Sequence, residues 1–159
     1  MDLGIAGRNA IVCASSRGLG KGCAMSLARN GANVVINGRD EAVTMATAAE
    51  ISAASDVTVT PVIADVSSKE GQAALLAACP QPDILVNNNG GPPFRDFRDL
   101  SREDMLQGVT MNFATPIELV QAVIDPMVAQ GFGRIVNITS VSVMRPVFGL
   151  DLSSGARAG

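Results

Sequence analysis

Five short runs rich in apolar and β-branched residues punctuate the chain: NAIVCA (9–14), NVVING (33–38), VTVTPVIADV (57–66), DILVNNNGG (83–91) and GRIVNITS (133–140). Helical segments separate them, and this alternation constrains the fold more than any other feature. Strands joined through helices pair in parallel by right-handed crossovers. The runs are apolar on both faces, as a sheet covered on both sides requires. The expected result is an α/β doubly wound parallel sheet in the order 3-2-1-4-5, with Pro61 favouring an edge position for the third run. Ligands of such sheets bind at the carboxyl ends of the strands, near the switch between strands 1 and 4.

The intervening segments carry helix signals. Leu19, Cys23 and Leu27 fall four apart and predict one apolar helix face ending near Asn30-Gly31. Helices are expected over 40–54 and 67–78. Ser101 with Asp104 three residues on resembles a capping box. The long helix it opens carries Met105, Val109, Phe113, Ile117, Val120, Ile124 and Val128, with bends expected at Pro116 and Pro126. GGPPFRDF (90–97) reads as a stiff surface loop beside the switch point. No internal repeat or second domain is evident.

Composition narrows the function classes. With 159 residues, 47% of them hydrophobic and only 17% charged, the chain can bury a sizeable core. A net charge of −3 gives no general attraction for nucleic acid or anionic membrane. No signal peptide and no bilayer-spanning run is read, so a cytoplasmic setting is expected. Three widely spaced cysteines read as reduced thiols rather than as a disulfide framework or a metal site. The chain has no His, which removes the commonest general base and metal ligand, and no Tyr.

The chemistry-bearing motif is CASSRGLG (13–20), between the first strand and its helix. Glycines there let backbone approach a pyrophosphate, and the helix N-terminus offers N–H donors. Its spacing resembles the T-G-x-x-x-G-x-G turn of the short-chain dehydrogenase/reductase family, with Cys13 and Ala14 in place of Thr and the first Gly. The resemblance continues along the whole chain. Asp65-Val66 matches the family's Asp-Val pair at the adenine, and NNNG (87–90) matches N-N-A-G with Asn89 in place of Ala. Asn112 matches the helical Asn that helps hold a relay water, and Ser140 matches the catalytic serine. The resemblance thus implies a Rossmann-like fold and a cofactor site of Ala14, Ser15, Ser16, Arg17, Gly18, Leu19, Gly20, Arg39, Asp65, Val66, Asn88 and Gly90.

Arg17 in the phosphate loop and Arg39 after the second strand point to NADP rather than NAD, because arginines there suit a 2′-phosphate whereas an acidic residue at the end of that strand would suit a ribose 2′-hydroxyl. The alternative is two solvated surface arginines.

The family's Tyr-x-x-x-Lys pair, one helix turn apart, falls here on Ser153 and Arg157. A serine hydroxyl is far less acidic than a phenol, and an arginine stays charged. Asp151 is the alternative acid. The bland alternative makes Ser153 a helix cap and Arg157 a surface residue. The closing stretch ITSVSVMRPVFGLDLSSGARAG resembles the 3-oxoacyl-acyl-carrier-protein reductase-like branch of the family, in which Ser and Arg occupy these slots. The family continues beyond this point with a sixth strand, a covering loop and a seventh strand. The resemblance therefore implies one dinucleotide-binding domain over 1–159, shortened at its C-terminus.

Two readings follow. One is an NADP-dependent reductase of a small carbonyl compound such as a 3-oxoacyl thioester, using Asn112, Ser140, Ser153 and Arg157, without metal, and forming a homo-oligomer. The other is a catalytically silent dinucleotide-binding module or an incomplete part of such a reductase.

Overall fold

The computed structural model describes residues 2–91 and 94–159. Pro92 and Pro93 of the expected stiff loop lie outside the described residues.

The strands are β1 (Asn9–Val12), β2 (Asn33–Gly38), β3 (Val59–Ile63), β4 (Ile84–Asn87) and β5 (Arg134–Asn137). All four pairings are parallel, in the order β3-β2-β1-β4-β5, so the sheet is the doubly wound, Rossmann-like arrangement expected. Pro61 sits in β3 at a sheet edge, where its missing N–H costs no interior ladder bond.

Alternation with period two divides the core. Ala10, Val12, Val34, Ile36, Ile84 and Val86 face one side, where Ala24, Ala28, Ala48 and Ile51 cover them. These come from helices α1 (Gly18–Arg29) and α2 (Glu41–Ala53). Ile11, Cys13, Val35 and Leu85 face the other side, against Leu75, Leu119, Val123 and Met127. These come from α3 (Lys69–Ala78) and α5 (Thr115–Ala129). The helix starts are local in origin. Asp40 caps α2 by accepting from the Val43 N–H, and Ser68 caps α3 by accepting from the Gly71 N–H. Ser101 and Asp104 form a complete capping box at α4 (Arg102–Val109). Helix α6 (Asp151–Ala158) closes the described chain.

Two helix faces differ from expectation. Leu19 is 71% exposed, and α1 packs on the sheet through Gly20, Ala24 and Ala28 instead. Small residues win because this helix lies close over β1 and β2; Cys23 and Leu27 pack at the margin. On the long helix, the stripe Met105, Val109, Phe113, Ile117, Ile124 and Val128 faces outward. The sheet takes Leu119, Val123 and Met127. The helix has two apolar stripes, and only contact with the sheet selects between them.

Pro116 does not simply bend that helix. It follows a π-helical turn, Thr110–Ala114, that joins α4 to α5 and places the proline in the first turn of α5. No helix among the described residues is long and apolar enough to cross a membrane.

Candidate functional site

The turn after β1 is held from below by two buried polar side chains. Ser15 Oγ donates to the Val12 carbonyl at 2.6 Å and accepts from the Asn37 N–H at 2.9 Å. Asn37 Oδ1 accepts from the Ala14 N–H at 3.2 Å, and its Nδ2 donates to the Val62 and Ala64 carbonyls. Asn37 therefore ties the turn to the ends of β2 and β3. Sequence reasoning passed over it; the available signal was an amide inside the apolar run NVVING. Ser15 is fully buried, and its side chain shapes the turn.

The turn needs unusual backbone. Ala14 has φ +43°, the left-handed region that glycine adopts most readily, and Gly18 has φ +58°. Gly20 meets a different demand. A Cβ there would lie 2.5 Å from the Ala14 carbonyl oxygen and 2.8 Å from Asn88 Nδ2. Asn88 Nδ2 donates to that same carbonyl at 3.0 Å, locking the β4 end to the turn. Cys13, at the end of β1, is an inert thiol: burial pushes it up to about 12, opposed by a hydrogen bond from the Asn88 backbone.

Two clefts open at the carboxyl ends of the strands. The first, about 300 Å³, is walled by Ala14, Ser16, Arg17, Arg39, Asp65, Val66 and Gly90. Arg17 stands 3.6 Å from Asp40, and Arg39 stands 3.9 Å from Asp65. All four side chains are largely exposed, so these pairs are weak and both guanidinium groups remain available to an anion. Asp65 titrates below the usual carboxylate range, chiefly because the Ser67 hydroxyl donates to it; partial burial opposes this, and the Ser67 N–H and Arg39 assist. Leu19 projects to solvent from the first turn of α1.

The second cleft, about 340 Å³, contains Asn88, Asn89, Asn112 and Arg157 in its wall, with Asn87 and Asn137 at the sheet side. Asn112 lies in the π-helical turn, buried, with Nδ2 donating to the Gly108 carbonyl at 3.2 Å. Its Oδ1 has no partner among the described residues. Ser140 follows β5, half-buried, and its Oγ accepts from the Ser142 N–H at 3.2 Å.

Ser153 and Arg157 form one unit on α6. Arg157 Nε donates to Ser153 Oγ at 2.9 Å and Nη1 donates to the Ile138 carbonyl at 2.8 Å. Ser153 is 5% exposed and sits inside α6, whose N-cap is Leu150, so it is not a helix cap. Arg157 is half-buried rather than a solvated surface group, and that burial lowers its pKa. The four-residue spacing that put both side chains on one helix face thus ends in a direct bond. Among the described residues no His/Cys/Asp/Glu group could hold a metal.

The resemblance extends to known proteins. Residues 8–159 match the short chain dehydrogenase family. The chain is 31% identical over 147 residues to the uncharacterized oxidoreductase YvaG of Bacillus subtilis (strain 168), covering 92% of this chain and 56% of that protein. It is 32% identical over 154 residues to the 3-oxoacyl-[acyl-carrier-protein] reductase FabG of Chlamydia muridarum (strain MoPn / Nigg), covering 94% of this chain and 62% of that protein. The crystal structure of L-sorbose reductase from Gluconobacter frateurii, complexed with NADPH and L-sorbose, superposes with a TM-score of 0.93 at 26% identity, covering 99% of this chain and 62% of that one. The chain therefore spans little more than half the length of these relatives. Its strand order, its glycine turn and this match over nearly every residue have one common explanation: the chain belongs to the short chain dehydrogenase family.

Proposed function

We propose that this chain is the dinucleotide-binding part of an NADP-dependent oxidoreductase that reduces a small carbonyl compound, with 3-oxoacyl thioesters as the favoured class. The observation that carries the reading is the first cleft: Arg17 and Arg39 flank the mouth of a glycine turn that opens a helix. The residues fit a dinucleotide. The first turn of α1 presents N–H groups without intrahelical partners to a pyrophosphate. The absence of a side chain at Gly20 keeps that turn closed against Asn88, while Val66 offers an apolar wall to a base. Arg17 and Arg39 would hold a 2′-phosphate. When bound, the dinucleotide supplies the hydride.

This chain's own residues do the rest. Ser140 Oγ orients the carbonyl by donating a hydrogen bond, and Asn112 holds a water within the second cleft. Arg157, fixed by Ser153 and Ile138, brings positive charge to the developing oxyanion. The Ser153 hydroxyl accepts from Arg157 and keeps its own proton for donation. The similarity to a 3-oxoacyl reductase supports the thioester class, as do the exposed Val141, Val143, Met144 and Phe148 just beyond Ser140, an apolar flank for an acyl chain.

Cofactor titration tests this reading. Arg39→Ala is expected to weaken NADPH about 10–100-fold while leaving NADH nearly unchanged, the effect of losing a charged hydrogen bond. Equal weakening of both would remove the preference for the phosphate.

One observation favours a second reading, a silent binding module. No tyrosine occurs in the 159 residues, and the serine in its place is buried. That reading keeps the cofactor and drops the reduction.

A cytoplasmic homo-oligomer completes the proposal. The outward stripe of the long helix, with Met105, Val109, Phe113, Ile117 and Val128, is a large apolar face for a second copy. Sedimentation should detect self-association that grows with concentration. A monomer at the highest attainable concentration would sink it.

A further inference from the structure

Pro116 creates a problem that Asn89 answers. Within the π-helical turn, the Thr115 N–H donates to the Thr110 carbonyl, five residues back. That N–H is the α-helical partner of the Met111 carbonyl, which therefore loses it. The next donor along, at a five-residue spacing, would come from Pro116, which has none. Proline thus strands the Met111 carbonyl. Asn89 Nδ2 donates to it at 2.8 Å, across from the end of β4. Asn89 Oδ1 meanwhile accepts from the Gly90 N–H at 2.9 Å, which fixes the orientation of the carboxamide.

The position of this strut matters. Asn89 lies in the walls of both clefts, and Met111 is in the wall of the first. Asn112, the residue after Met111, lies in the wall of the second, its carboxamide oxygen unpartnered among the described residues. We propose that Asn89 is a positioning residue: by bonding the Met111 carbonyl stranded by Pro116, it holds the π-helical turn that keeps Asn112 in the wall of the second cleft. An alanine, as the resemblance gives at this place, donates no such bond. The Asn89 substitution and Pro116 act as a pair. The inference rests on the proposed function only in taking Asn112 as part of the site.

A double-mutant cycle on the cofactor-free chain decides it, read by thermal unfolding and by the side-chain amide resonances of Asn112. Asn89→Ala is expected to lower Tm by roughly 2–6 °C, as for a part-buried carbonyl left without its donor, and to move the Asn112 resonances. Asn89→Asp, similar in size but unable to donate, should behave alike. In a Pro116→Ala background the restored N–H at position 116 serves the helix, so Asn89→Ala should cost under ~1 °C and leave the Asn112 resonances in place. If Asn89→Ala does not fold alone, folding of the double variant is the rescue expected. Equal Tm losses in both backgrounds, unmoved Asn112 resonances, or a double variant that also fails to fold would overturn the proposal. A chain that binds no NADPH removes the cofactor reading and leaves this cycle intact.

Discussion

Gly20→Ala is expected to weaken NADPH binding by at least ~10-fold and to destabilise the chain by about 1–3 kcal/mol, the range for forcing an extra methyl into closed packing. The new Cβ would stand 2.5 Å from the Ala14 carbonyl oxygen, 2.8 Å from Asn88 Nδ2 and 2.9 Å from Ser15 Cα. Two of these neighbours are backbone, and the third is held by its bond to Ala14. Nothing there yields by a simple rotamer change. The first turn of α1 must lift, and with it the N–H groups proposed to hold the pyrophosphate. Gly22→Ala, where a Cβ meets open space, is the matched control and should leave binding unchanged. Titration of both variants with NADPH, alongside denaturant unfolding, checks the result. A Gly20→Ala chain as stable and as tight as wild type would mean that the turn is looser than its contacts indicate.

The second large effect concerns proton donation. If the proposed carbonyl reduction is this protein's reaction, Ser140→Ala is expected to reduce its rate by about 10²–10⁴-fold, the contribution of one positioned catalytic group. Ser153→Ala is expected to fall in the same range, since it removes the hydroxyl that Arg157 polarises and leaves Arg157 Nε without its acceptor. Ser153→Tyr combined with Arg157→Lys should then change the pH dependence of the rate, because the donor becomes a phenol whose pKa an ammonium can lower. If Ser153→Ala leaves the rate untouched while Ser140→Ala abolishes it, Ser153 only anchors Arg157. If no carbonyl is reduced by the unaltered protein, the silent-module reading replaces the enzyme.

Arg157 also explains why an arginine-to-lysine exchange alone is not conservative here. One guanidinium reaches Ser153 Oγ through Nε and the Ile138 carbonyl through Nη1 in a single planar fork. An ammonium is a point donor on a flexible stem and does not reproduce that geometry.

What the sequence determined was local or periodic. The strand runs are apolar on both faces and alternate with helices, so parallel pairing and the order β3-β2-β1-β4-β5 followed from connection rules and the doubly wound pattern. Pro61 belonged at an edge because it lacks an N–H. Ser101 and Asp104 marked a helix start because a capping box is complete within four residues. The glycine spacing of residues 13–20 marked the turn between β1 and α1. Tertiary structure decided whatever depends on a partner far away in the chain. Leu19 and Ala24 both lie on α1, but only the closeness of the sheet selects the small residue for burial. The long helix offers two apolar stripes, and the core takes Leu119, Val123 and Met127 because the sheet lies on that side. Asn37 is an amide inside an apolar run and Asn89 stands where the resemblance has Ala; neither has a purpose legible in the sequence until the Ala14 N–H and the Met111 carbonyl are seen to need them. A hydrogen bond between residues more than twenty positions apart leaves no period in the sequence, so its purpose emerges only when the fold brings donor and acceptor together.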